Sequence, residues 1–271
     1  MNKTGAVEIQ AATAFSLQSA VFDQLYSPDP IIQYKRQRVR THIEKYLQPG
    51  SRLLELNCGT GEDALYFAGK GFSIHATDIS QGMLDKLEEK KHALSQDITT
   101  QICSFNHLEQ LHDKGPFDHI FSNFGGLNCT PDLDKVLASL DPLLKPGGAV
   151  TLVIISKFCL WETLLLFKGK FATAFRRFFS ASGRKAVIEG SSFRCWYYSP
   201  AYVRKHISKK YIQVGLEGLC TIVPPSYMEG FAAKHPKLYS RLCKLENRYK
   251  DRWPWRVMGD YFIISLKKRP S

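Results

Sequence analysis

A carboxylate, an amide and two glycines at alternating positions, Glu55-x-Asn57-x-Gly59-x-Gly61, close an apolar run, and Asp78 follows the last glycine by seventeen residues. Small residues in such a loop let the backbone approach a ligand, and a short carboxylate at the next strand end receives both hydroxyls of a ribose. The chemistry on offer is therefore nucleoside binding. A dinucleotide loop, G-x-G-x-x-G, would put its third glycine at position 62, where this chain has Glu62, and a pyrophosphate beside that carboxylate would be repelled. The ligand expected here has a ribose and no phosphate.

Positioning these groups requires strands that end together at one edge of a sheet. Apolar runs alternating with helical stretches supply them: strands over 51–56, 72–77, 98–103, 117–122 and 148–155, with helices over 62–70, 80–94 and 131–140 and a short one ending at 112. Such a βα repeat, joined by right-handed crossovers, builds a doubly wound and mostly parallel α/β sheet. Two helices, 8–26 and 29–47, precede it, punctuated by Pro28 and Pro30. The segment 261–267 is apolar and β-prone and is expected to be a closing strand, with 211–221 as its hairpin partner. The division expected is a helical cap over 1–50, a binding core over 51–156, a lid and substrate region over 157–256 that includes the sixth strand, and a closing strand over 257–271.

The motif acidic-x-Asn-x-Gly-x-Gly resembles motif I of the class I S-adenosylmethionine-dependent methyltransferases. The string Asp78-Ile79-Ser80-Gln81-Gly82-Met83-Leu84 is similar to that family's D-x-S-x-x-M-L helix start, and Leu144-Lys145-Pro146-Gly147-Gly148 to its L-x-P-G-G turn. The resemblance spans residues 40–155 and implies a Rossmann-like methyltransferase fold with S-adenosylmethionine as cofactor. It implies that Glu55 orients the loop and the methionine part, that Asn57, Cys58, Gly59 and Gly61 form the loop, and that Asp78 holds the ribose. Ile79 and Met83 would sandwich adenine. Two positions depart from the pattern. Asn57 replaces a glycine whose φ is commonly positive, and Asn is the residue that best tolerates that after glycine. Ser104 stands where relatives carry an adenine-binding Asp, and its hydroxyl can still accept that hydrogen bond; Phe105 would follow with its backbone N–H near the ring. Asn123 and Asn128, after the fourth strand, would either face the pocket or fix the loop.

The second half of the chain differs from the first. Residues 1–155 hold 14 Lys/Arg against 18 Asp/Glu, whereas residues 156–271 hold 23 against 7 and contain 21 of the 33 aromatic residues. Residues 158–179 interleave aromatics with Lys168, Lys170, Arg176 and Arg177, a pattern suited to a helix pair over a lipophilic pocket or on an anionic membrane surface, or to an ordinary lid packed on the sheet with a solvated basic face. Candidates for a base or a substrate contact are Tyr197, Tyr198, His206, Tyr227 and Glu229, each also readable as a packing or solvated residue. Asp260 is read as a buried hydrogen-bonding partner.

No stretch reaches the roughly 18 apolar residues of a membrane span, and no secretory signal is visible. Seven scattered cysteines without a C-x-x-C pair suit reduced thiols in the cytoplasm, with peripheral membrane contact left open, and no metal site is expected. The reading is S-adenosylmethionine-dependent methyl transfer to a small lipophilic or aromatic molecule, with oxygen as the acceptor atom. A non-catalytic S-adenosylmethionine-binding protein with an RNA or membrane partner remains open, as does an RNA methyltransferase. The fourth-strand segment lacks the N-P-P-[YF] string of nucleic-acid adenine methylases, so nucleic acid is not the expected partner.

Overall fold

The computed structural model describes residues 3–94, 97–188 and 190–270. Helices α1 (Lys3–Tyr26) and α2 (Pro30–Glu44) precede an alternation of β1 (Arg52–Leu56), α3 (Glu62–Ala68), β2 (Ser73–Asp78), α4 (Gln81–Leu94), β3 (Ile98–Ile102), β4 (Phe117–Ser122), α5 (Leu133–Ser139) and β5 (Leu144–Ile155). The remainder holds α6 (Leu160–Leu164), α7 (Phe171–Phe175), the hairpin β6 (Arg184–Ile188) and β7 (Ser191–Cys195), α8 (Pro200–His206), β8 (Tyr211–Leu219), α9 (Phe231–Lys234), α10 (Pro236–Tyr249) and β9 (Tyr261–Lys268). The seven-stranded sheet runs β3-β2-β1-β4-β5-β9-β8. Strands β1 to β5 pair in parallel, and β9 lies antiparallel between β5 and β8. Because β1 lies between β2 and β4, the loops leaving β1 and β4 diverge and open a crevice at the carboxyl edge, where ligands bind in such sheets.

Apolar strand residues fill both faces. Leu53, Leu54, Leu56, Phe121 and Phe262 are fully buried, and the ring of Phe67 on α3 meets Phe121 edge-on at 5.4 Å. Each such side chain contributes about 1.5–3 kcal/mol. Helix α2 is fastened by charge as well: buried Arg38 bonds Glu217 of β8 at 3.0 Å and Glu246 of α10 at 3.1 Å. Glu246 also accepts the backbone N–H groups of Cys220, Thr221, Ile222 and Val223 at 2.8–3.0 Å. Removing one partner of such a buried network typically costs about 3–5 kcal/mol, because a charge is left uncompensated. The network holds the turn that delivers Ser226 to α2.

The segment after β5 differs from the helical lid expected of it. Its helices are single turns, the first helical stretch ending at Gly169 with φ 69°, and the chain then forms the β6–β7 hairpin. β-branched and aromatic residues around the positive-φ turn at Gly190 favour strands. The cations of this segment are not all free for an outer face. Arg177 is buried, bonding Glu162 and Asp260 at 2.5 Å each and the carbonyl of Ser156 at 2.9 Å, while Arg176 also pairs with Glu162. Phenylalanines face outward instead: Phe167, Phe171 and Phe179 are 88%, 61% and 75% exposed.

Candidate functional site

The glycine loop follows β1 because the chain must turn there from a buried strand into α3. Asn57 takes φ 51°, in keeping with its standing in for glycine, and its amide spans to β4: Oδ1 accepts from the Ser122 hydroxyl at 2.6 Å and Nδ2 donates to the Asn123 carbonyl at 3.1 Å. Asp78, the last residue of β2, accepts from the backbone N–H of Gly59 at 2.8 Å and of Ser80 at 2.9 Å. Its carboxylate therefore braces the loop and the start of α4 together.

A first cavity opens above this loop, lined by Glu55, Asn57, Cys58, Gly59, Asp78, Ile79, Met83, Ser104, Phe105 and Asn123 among others. It encloses about 890 Å³, open mouth included. Two acceptors on its wall lack hydrogen-bond partners, Oε2 of Glu55 and Oδ1 of Asn123. Burial, and next the neighbouring Asp63, push the Glu55 carboxyl well above its ordinary range. Asp78 is raised too, by burial, which outweighs its backbone hydrogen bonds. The cavity would gain from a ligand that brings cationic or hydroxyl donors.

A second chamber, of about 1190 Å³ with its mouth, shares Phe15, Phe22, Arg36, Phe124, Gly126 and Cys129 with the first. Its remaining wall comes from α1, α2, the β6–β7 hairpin, Gly125, Ile155, Tyr197, Ser226 and Tyr261. Helix α1 covers both spaces. Its Phe15 packs on Phe193 of β7 with ring centroids 5.5 Å apart, its Ser16 bonds Ser80 at 2.7 Å, and its Asp23 accepts from Thr60 at 2.6 Å. Glu8 of the same helix accepts from the Ser104 hydroxyl and, at 2.5 Å, from the Asn106 amide.

The structure separates the candidates named from sequence. Gly61 does not line the cavity, contrary to expectation. A Cβ there would lie 2.2 Å from the Leu87 side chain, so its missing side chain and φ of 78° let the loop pack on α4. Ser104 lines the cavity with its hydroxyl already committed to Glu8. Asn123 is on the wall, whereas Asn128 is fully buried and fixes the loop, bonding the backbone of Ile155 and the Trp196 carbonyl.

Of the five lid candidates, only Tyr197 lines the chamber. The Tyr198 hydroxyl is spent inside the fold on the Thr130 carbonyl at 2.5 Å, and His206 bonds its own helix at the Tyr202 carbonyl, so neither serves a pocket. Tyr227 and Glu229 are exposed and outside both cavities. Residues 158–179 line neither space, so the lid role expected of them falls to α1 and the hairpin. Cys159, Glu162 and Asp260 offer ligand atoms within 4.8 Å of one another, but Arg177 bridges the two carboxylates and makes the group an ion-pair network. Sequence reading missed Glu8, Lys35 and Arg36. Their signal is faint, since a helix of mixed character shows no target for its inner face.

Residues 53–148 match the family model described as a methyltransferase domain. The chain is 25% identical over 228 residues to a demethylmenaquinone methyltransferase of Oceanobacillus iheyensis, covering 79% of this chain and 92% of that one. It is 30% identical over 132 residues to the demethylmenaquinone methyltransferase of Bacillus licheniformis, covering 48% of this chain and 55% of that protein. Among solved structures, it is similar to the 1,6-didemethyltoxoflavin-N1-methyltransferase of Burkholderia thailandensis, with a TM-score of 0.58, 13% identity, and 99% and 92% of the two chains covered. That likeness is one of fold.

Proposed function

We propose that this chain, which belongs to the class I S-adenosylmethionine-dependent methyltransferases, methylates an oxygen of a lipophilic aromatic molecule seated in the second chamber. The observation that carries this reading is the shared wall: a cavity suited to the cofactor has six lining residues in common with an aromatic chamber beside α1. The relatives named for demethylmenaquinone, a lipophilic ring compound, support the substrate class.

The first cavity fits the cofactor by its donor and acceptor balance. The unpartnered oxygens of Glu55 and Asn123 would hold the methionine ammonium, and Asp78, with lone pairs to spare, the ribose hydroxyls. Ile79 and Met83 would flank adenine. Glu8, held by Ser104 and Asn106, would supply at adenine's edge the carboxylate that position 104 lacks. Bound S-adenosylmethionine supplies an electrophilic methyl group on a sulfonium.

In-line transfer asks the protein mainly for alignment and for exclusion of water. Phe15 and Phe22 of α1 and Phe124 stand at the junction of the two spaces and serve both needs. Tyr197, whose hydroxyl is pushed up by burial and then by Cys195, stays protonated and acts as a hydrogen-bond donor. A panel of naphthols, quinols and RNA, assayed for S-adenosylhomocysteine and methylated product, tests the reading. A methylated ring hydroxyl is expected. Cofactor binding without turnover of any ring compound would make the chain a binding protein, and methylated RNA would replace the substrate class.

The exposed phenylalanines beside Lys168 and Lys170 favour peripheral contact with an anionic bilayer as well. No helix among the described residues is long and apolar enough to cross a membrane. Flotation with anionic vesicles at low salt should carry the protein, and the pair Phe167→Ser and Phe179→Ser should leave it behind. Wild-type protein that stays with the soluble fraction would remove the membrane reading.

A further inference from the structure

Lys35 of α2 is 5% exposed and lines the second chamber. Among the described residues its ammonium has no carboxylate within ion-pair distance. Its contacts are the Ser226 hydroxyl at 3.2 Å and the faces of Tyr261 and Phe124, at 5.0 and 5.7 Å from the ring centroids. The nearby acids are committed elsewhere: Asp63 serves Arg36 and Arg40, and Glu246 serves Arg38 and four backbone N–H groups.

Every other buried basic side chain described above, Arg36, Arg38 and Arg177, has a carboxylate partner. The chamber wall contains Lys35 and Arg36 and, among the described residues, no acid. A desolvated cation held only by a hydroxyl and ring faces is incompletely compensated, and an anion brought by a ligand would complete it. The same wall carries an unpartnered acceptor, Oε1 of Gln18, whose residue is 4% exposed and which a hydroxyl or N–H of a ligand would satisfy.

Resting on the methyltransferase reading, we infer that the molecule bound in the chamber is an aromatic anion whose anionic oxygen, a carboxylate or an ionised ring hydroxyl, is anchored by Lys35. With Tyr261 and Phe124 against the ammonium, the lysine selects for a charge on the bound ring compound. Lys35 acts here as a specificity residue. The bond to Ser226 holds its ammonium, and Ser226 follows the turn that Glu246 holds.

Matched probes test this: 2-naphthoate and its neutral isostere 2-naphthamide, titrated calorimetrically into the full chain saturated with S-adenosylhomocysteine. Wild-type protein should bind the acid at least about tenfold more tightly than the amide. Lys35→Met should erase that preference while leaving the amide within about twofold. Equal affinity for the two probes in wild-type protein, a failure to bind either, or an unchanged preference in the variant would overturn the inference. The wild-type comparison stands even if the variant does not fold. Failure of S-adenosylhomocysteine to bind in the first step would sink the methyltransferase reading instead.

Discussion

The donor cavity carries Glu8, Glu55, Glu62, Asp63 and Asp78 against the single cation Arg36, whereas the acceptor chamber carries Lys35 and Arg36 and, among the described residues, no acid. The two spaces share a wall and differ in sign. A sulfonium cofactor with an ammonium at one end suits the first, and an electron-rich acceptor suits the second. The contrast also separates two uses of buried charge. In the donor cavity unpaired acceptors wait for a ligand, while elsewhere Arg38 and Arg177 pair with carboxylates to hold the fold together.

The comparison breaks most easily at Asp78. On the proposed cofactor site, Asp78→Ala would remove two charge-assisted hydrogen bonds to ribose, each worth about 1.5–3 kcal/mol, and should weaken S-adenosylhomocysteine about 100-fold or more. Calorimetric titration of the folded variant measures it, and unchanged affinity would move the cofactor elsewhere. In the same series Glu8→Ala should cost about fivefold, since one hydrogen bond at the rim of the cavity is lost.

A subtler test uses proton linkage at Glu55. Its carboxyl, ordinarily titrating at 4.5, is raised by burial and Asp63, so the free protein keeps it protonated above that pH. A cationic ligand would ionise it and release a proton. Affinity should therefore climb as pH rises towards the raised value, and Glu55→Gln should flatten the climb. Stability runs the other way. The unfolded chain ionises Glu55 at 4.5 while the folded chain does not, so this group's contribution to stability falls as pH rises through that window. Thermal melts of the ligand-free wild type and Glu55→Gln compare it directly.

Much of the donor side was legible in the sequence because its determinants are local. A strand, a loop and a carboxylate at the next strand end fix one another through short-range geometry, so Asp78 at the end of β2 follows from spacing, and Asn57 at positive φ from the resemblance to motif I. The acceptor side was not legible, because it is assembled from α1, α2, the hairpin and the turn at Ser226, segments far apart in the chain. Gly61 shows the same limit at a single residue. Its place in the motif suggested a ligand contact, and only the packing of α4 shows that the space beside it belongs to Leu87. The basic aromatic stretch misled differently: its composition suited amphipathic helices, yet Glu162 and Asp260 draw Arg177 inward and leave the rings outside.

Asn57 carries a consequence that a glycine at its position would not. Its carboxamide joins the β1 loop to Ser122 and Asn123, and it packs so closely on Gly126 that a Cβ there would lie 2.3 Å from it. Gly126 borders both spaces. With glycine at position 57 the two loops would be hinged separately. The amide cross-links them, so a ligand that stiffens either loop should lower the entropic cost of ordering the other, and the two binding events should be more strongly cooperative in wild-type protein than in Asn57→Gly.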